Sequence, residues 1–188
     1  VASALHSHGF PSRVVSLDSY LSATLAARQA GGKLSASCYR RQLYQVLDGA
    51  IEELKPRLIC FGLTYTCCEP VVLQLCRHVR RKYPTARLIV GGNHATFCAG
   101  ELLAPGQRSG IDIVVRNEGE LTMRQVARAL EKPAPVLHDI AGITWRDKNG
   151  AVHHNPARPR LTTSQIPTMD YALMRSGRPL SAYNHAIH

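Results

Sequence analysis

Short apolar runs alternate with amphipathic stretches along most of the chain. From Tyr39 to Leu54, apolar residues fall at Leu43, Val46, Leu47, Ala50, Ile51 and Leu54, the spacing of one helix face. Lys55-Pro56 ends that helix, and LICFGL (Leu58 to Leu63) follows as a nearly all-apolar run. Val72, Leu75, Cys76 and Val79 stripe a second helix, with Pro70 near its first turn. LIVGG (Leu88 to Gly92) predicts the next strand, Ala99 to Ala104 a short helix, and Ile111 to Val115 a further buried strand. Thr122, Val126, Ala127 and Leu130 mark a third amphipathic helix. Upstream, Arg13 to Leu17 predicts a strand and Val1 to His8 the end of a helix. Strands that are apolar throughout and separated by helices predict a parallel sheet covered on both faces. The fold class is therefore α/β, a doubly wound, mainly parallel sheet.

Beyond Pro133 the pattern changes. GITWRDKNGAVHHN predicts a hairpin, Ile143 to Arg146 and Ala151 to His154, around a turn at Asp147 to Gly150. NPARPRLTTSQIPTMD has little periodicity and predicts an extended linker. The expected division is an α/β domain over 1–138, with the hairpin and linker over 139–188. A doubly wound sheet normally opens with a strand that lies centrally, whereas this chain opens inside a helix. A fragment missing its first strand is the expectation, and a fold truly lacking it should expose sheet edges.

Composition refines this picture only at the margins. The chain has 188 residues, 45% of them hydrophobic, enough for one core. No apolar run is long enough to span a bilayer, and no basic start with an apolar stretch marks a secretory leader. Six cysteines without framework spacing point to a reducing cytoplasm. A formal charge of +10 would suit a nucleic-acid partner, but the cations are spread. The densest cluster, RHVRRK, closes a predicted helix, where positive charge suits the dipole, so nucleic acid is not the expected partner.

Ligands of open parallel sheets bind beyond the carboxyl ends of the strands. Those ends are Asp18-Ser19-Tyr20, Thr64-Tyr65-Thr66-Cys67-Cys68, Gly91-Gly92-Asn93-His94-Ala95-Thr96 and Arg116-Asn117-Glu118-Gly119-Glu120. All are polar or glycine-rich. The hydroxyls could bond a ligand, the glycines admit it, and Arg116 meet negative charge. The Gly91-Gly92 pair fits either a tight turn or a close approach to bare backbone. Neither GxGxxG nor GxxxxGK[ST] occurs, so no dinucleotide fingerprint or P-loop supports the site.

In combination, LIVGGNHAT, DIVVRNEGE, GITWRDKNG and the proline-rich tail are very similar to the cobalamin-binding domain that precedes the catalytic barrel in cobalamin-dependent radical S-adenosylmethionine enzymes. The resemblance runs from about Ser3 to Met174 and implies a flavodoxin-like, Rossmann-like fold. It implies that cobalamin is held at the strand ends by Thr64, Tyr65, Thr66, Gly91, Gly92, Asn93, His94, Ala95, Arg116, Glu118, Gly119 and Glu120. Gly91 and Gly92 match the pair over which the nucleotide tail packs, Thr64 a hydroxyl near the lower base, and Glu118-Gly119 the turn closing the other side. It also implies a methyltransferase or oxidoreductase, with a radical S-adenosylmethionine barrel in the same full-length protein acting on a small-molecule or peptide substrate.

Two departures qualify the match. His6-Ser7-His8-Gly9 fits H-x-x-G, but Ala4 replaces the Asp of the D-x-H-x-x-G motif that supplies a lower cobalt ligand, so the stretch is expected to be a plain helix end. No three cysteines have C-x-x-x-C-x-x-C spacing, so a [4Fe-4S] cluster and S-adenosylmethionine are expected only in the absent catalytic domain. Cys67, Cys68, Cys98 and His94 could conceivably meet at a zinc ion, but without C-x-x-C spacing idle thiols are the expectation. His153-His154 alternate in facing, and no G-x-S-x-G supplies a nucleophile elbow. The alternative to a cobalamin domain is a cofactor-free docking or substrate-recognition module of the same fold, binding an acidic or nucleic-acid partner.

Overall fold

Three parallel strands, β2 (Leu58–Gly62), β3 (Arg87–Gly91) and β4 (Ile113–Val115), lie side by side in chain order. An antiparallel hairpin, β5 (Ile143–Arg146) and β6 (Val152–His154), continues the sheet from β4. The computed structural model describes residues 1–17, 36–107 and 109–175. Its contacts divide the chain into two compact units, one comprising Val1–Pro11 and Pro56–Thr168, the other Ser12–Lys55 and Met169–His188.

The first unit holds the five-stranded sheet. On one face Ile89, Ile113, Val115 and Ile143 pack with Leu5 of α1 (Ala2–His6) and Met123, Val126 and Ala127 of α6 (Glu120–Leu130). The alternate strand positions Leu88, Val90 and Val114 point to the other face and are fully buried. Between β2 and β3 runs α3 (Glu69–Lys82), whose buried Val72, Leu75, Cys76 and Val79 carry the helical stripe read from the sequence. Part of the RHVRRK charge is used inside the unit. Arg80 donates to the carbonyls of Pro84, Ala86 and Gly110 and pairs with Asp112 at 2.6 Å, clamping the amino ends of β3 and β4.

The hairpin expected beyond residue 138 is stitched into this sheet. Its anchor is Asn155, a buried residue the pattern did not single out. The Asn155 amide donates to the Leu137 and Ile140 carbonyls at 2.6 and 2.8 Å, and its oxygen accepts from Trp145 Nε1 at 3.1 Å. Asn155→Ala strands three buried polar groups, so we expect a loss of about 2–4 kcal/mol in chemical denaturation.

At the hairpin tip, Asp147 accepts from the Asn149 and Ala151 amides and from His153 Nε2, at 2.8, 2.9 and 2.9 Å. The His153 bond first, then the two amides, holds this carboxyl below its ordinary value of 3.8. A carboxyl lowered in the folded state contributes stability above its unfolded value and loses it as pH falls through the folded one. Amide exchange at Asn149 and Ala151 should therefore be slower than in Asp147→Ala at neutral pH, and the two proteins should converge only below about pH 3.8.

The second unit contains α2 (Ala36–Leu54), with Leu43, Leu47 and Ile51 buried at helical spacing. Its strand β1 (Val14–Val15) was expected in the main sheet but instead pairs in parallel with β7 (Met174–Arg175), within the stretch read as a linker. A two-residue strand leaves no periodicity to read. The loop at Asp18-Ser19-Tyr20 lies outside the described residues. Among the described residues no helix is long and apolar enough to cross a membrane.

Candidate functional site

A groove of about 710 Å³ opens at the carboxyl ends of β2, β3 and β4, entirely within the first unit. Strand register explains its floor. Gly62 and Gly91 are Cα partners, as are Cys60 and Ile89 two residues earlier, so a strip of bare backbone lies beyond a small apolar patch. A Cβ on Gly62 would meet nothing within 4 Å, and one on Gly91 would only touch the Val115 carbonyl at 3.5 Å. Neither glycine is demanded by its own chain. The space above them is available to a guest.

Gly92 is different. It lies at φ 116°, ψ 174°, a conformation nearly confined to glycine, and a Cβ there would sit 2.6 Å from the Leu63 carbonyl oxygen. That oxygen is held in place because it accepts from the Ala95 amide, while Thr64 O accepts from His94 N. The pattern offered the glycine pair a tight turn or a close approach to bare backbone; the structure separates the two glycines. Gly91 leaves room for a guest, and Gly92 lets the strand end pass under the Leu63-Thr64 loop.

The stretch after the glycines, read as loop, forms helix α4 (Asn93–Phe97), followed by α5 (Ala99–Leu102). Each side chain has a separate task. Asn93 lines the groove, while Ala95 is fully buried behind it. Thr96, one of the strand-end hydroxyls, bonds within the chain. Its hydroxyl donates to the Gly92 carbonyl at 3.0 Å and accepts from the Asn117 amide at 2.8 Å, tying one rim to the other.

The opposite rim is the turn from Asn117 to Glu120, with Asn117 in the left-handed region at φ 59°. Glu118, Gly119 and Glu120 all line the groove. Glu118 also accepts from the Leu161 amide at 2.6 Å, drawing the proline-rich segment across. Arg158, Pro159 and Arg160 thereby become a wall of the groove. Arg158 is fixed by Thr122 Oγ1 at 2.7 Å, by Gln125 and by the Ala141 carbonyl, whereas Arg160 has no bonded partner among the described residues. The sequence offered no signal for this wall, because a strap of irregular backbone has no period.

Besides Ala95, five expected site residues stand elsewhere. Thr64, Tyr65 and Thr66 are exposed on the loop beyond β2 and do not line the groove. Arg116 turns away from it, donating to the Ile143 and Asn155 carbonyls. Burial lowers its pKa and leaves its Nε without a partner among the described residues, so it cross-links strand ends rather than facing the groove. His94 also lies outside the groove. Its Nε2 meets Glu69 Oε2 at 2.5 Å and its Nδ1 meets Thr66 Oγ1 at 3.1 Å. Cys98 Sγ lies 3.9 Å from the same Nδ1, while Cys67 and Cys68 are exposed on the preceding turn. Partial burial, then Glu101 and Glu69, raise the pKa of Cys98.

Against known proteins, the model of the B12 binding domain matches residues 19–127, more than half of the chain. The chain belongs to the B12-binding domain family. This domain is 36% identical over 88 residues to an uncharacterized methyltransferase, PH0819, of Pyrococcus horikoshii. It is 34% identical over 70 residues to the hopanoid C-3 methylase of Methylococcus capsulatus. It is also 29% identical over 103 residues to the anaerobic magnesium-protoporphyrin IX monomethyl ester cyclase of Synechocystis. The three alignments take in 46%, 37% and 54% of this B12-binding domain, but 18%, 13% and 20% of those proteins. The cobalamin-dependent S-adenosylmethionine radical enzyme OxsB, solved with aqua-cobalamin bound, shares the fold at TM-score 0.54 and 20% identity, over 66% of this chain and 17% of that one.

Proposed function

We propose that this domain holds cobalamin in the groove at the strand ends, as part of a longer radical S-adenosylmethionine enzyme of methyltransferase type. The observation that carries the reading is the register-matched pair Gly62 and Gly91, whose missing side chains leave a cradle that two Cβ atoms would fill. A nucleotide tail needs such a slot, with apolar walls for its base and polar rims for its sugar and phosphate. Cys60, Ile89, Val115 and Met123 supply the walls; Asn93, Glu120 and Arg160 supply polar rims.

Cobalamin, when bound, supplies a cobalt centre able to carry a methyl group. The chain's own residues bind and orient it. Glu118 and Arg158 fix the strap, and Thr96 fixes the rims. A [4Fe-4S] cluster and S-adenosylmethionine belong on this reading to a barrel elsewhere in the longer protein, because no C-x-x-x-C-x-x-C occurs here. The substrate, small molecule or peptide, is met there too.

The test is titration of the purified chain with hydroxocobalamin, followed by gel filtration. Colour should stay with protein at one equivalent, and cobinamide, which lacks the nucleotide tail, should bind at least about tenfold more weakly. A folded chain that retains no colour would overturn the reading. Equal binding of cobinamide would remove the tail from the groove.

A further inference from the structure

We propose a second site on this chain, a zinc-class metal site formed by Glu69, His94 and Cys98. Their donor atoms lie within 4.8 Å of one another, outside the residues lining the groove. Two elements bring them together. His94 and Cys98 are one turn apart, with the Cys98 amide bonded to the His94 carbonyl at 3.0 Å, so both side chains leave the same face of α4. Glu69 begins α3 and reaches across to them.

The donor set selects the ion. One thiolate, one imidazole nitrogen and one carboxylate oxygen suit zinc or a similar borderline cation, whereas calcium and magnesium want oxygen alone. Tetrahedral zinc with bonds of about 2.0–2.3 Å places nitrogen and sulfur roughly 3.6 Å apart, and nitrogen and oxygen roughly 3.3 Å apart. Sulfur to Nδ1 is already 3.9 Å. An imidazole gives zinc one nitrogen; with the ion at Nδ1 beside Sγ, Glu69, which meets Nε2 at 2.5 Å, has to leave that contact and swing its carboxylate, 30% exposed, toward the Nδ1 side. On binding at Nδ1, zinc takes the place of the Cys98 thiol proton, which passes to solvent, while the neutral imidazole keeps its proton on Nε2.

Three protein ligands leave a fourth position, the arrangement of sites that keep a water or an exogenous ligand. The zinc cluster conceivable from the sequence contained Cys67 and Cys68 in place of Glu69. The structure favours a carboxylate from the next helix, which no cysteine spacing could reveal.

Cobalt(II) titration of the reduced 188-residue chain, without cobalamin, tests this independently of the groove. We expect one equivalent to give a thiolate-to-cobalt band in the near ultraviolet together with visible bands of tetrahedral intensity. Cys98→Ser should lose the near-ultraviolet band. Glu69→Gln should weaken binding at least about tenfold while keeping the circular-dichroism spectrum. The double variant Cys67→Ala/Cys68→Ala should behave as the parent. A folded parent without the band would overturn the site, as would a band that survives Cys98→Ser or vanishes in the double variant.

Discussion

Valine at position 62 abolishes cobalamin retention and leaves the thermal midpoint of the chain within a few degrees of its parent. The expectation follows from the floor of the groove. A Cβ at Gly62 meets no atom within 4 Å, so the added side chain strains nothing in the protein. Valine is also a better strand former than glycine, worth up to about 1 kcal/mol in the right direction. The two methyl groups stand where a guest would lie, directly beside Gly91. Gly91→Val should act alike, with a slightly larger cost from its contact with the Val115 carbonyl. Gel filtration after loading, paired with differential scanning fluorimetry, separates the two effects. Retained colour in Gly62→Val would place the cofactor elsewhere on the sheet edge.

Alanine at position 92 does the reverse: it unfolds the domain whether or not cofactor is offered. The residue occupies a backbone conformation nearly reserved for glycine, and its new Cβ would fall 2.6 Å from one backbone oxygen and 2.8 Å from the adjoining carbon. Neither atom is the end of a flexible side chain that can swing aside. Leu63 is fully buried, and its carbonyl accepts the Ala95 amide. Strain and steric displacement together should cost roughly 4 kcal/mol, a large part of the stability of a domain this size. The measurement is the urea midpoint, and a shift of less than about 1 kcal/mol would show that the Leu63-Thr64 loop yields more easily than its bonding suggests. Loss of cobalamin in this variant therefore says nothing about the groove. That inference belongs to Gly62→Val.

The parallel strands, their helices and the hairpin were legible because period and burial coincide in them: Leu88, Ile89 and Val90 are apolar and all buried. Chain order also located the groove, since strand ends must gather at one edge. Side-chain direction was not legible. Arg116 sits at a strand end like Glu118, yet its guanidinium spans two backbone carbonyls while Glu118 lines the cavity. His94 adjoins Asn93 in sequence, but one helical step turns it toward Glu69 instead. The strap was hidden for another reason. Arg158 is held by bonds to Thr122, Gln125 and the Ala141 carbonyl, and the strap by the Leu161 amide on Glu118; such scattered long-range contacts leave no repeating mark in composition or period.

The Thr96 hydroxyl spans the gap between Gly92 and Asn117 like a fixed calliper. The separation of these rims is thus set by two hydrogen bonds within the chain itself. A guest entering such a slot need not pay to order its rims, and its association should show little of the entropy loss that accompanies loop closure. One side of the mouth thus rests on a single threonine and the two backbone groups it joins.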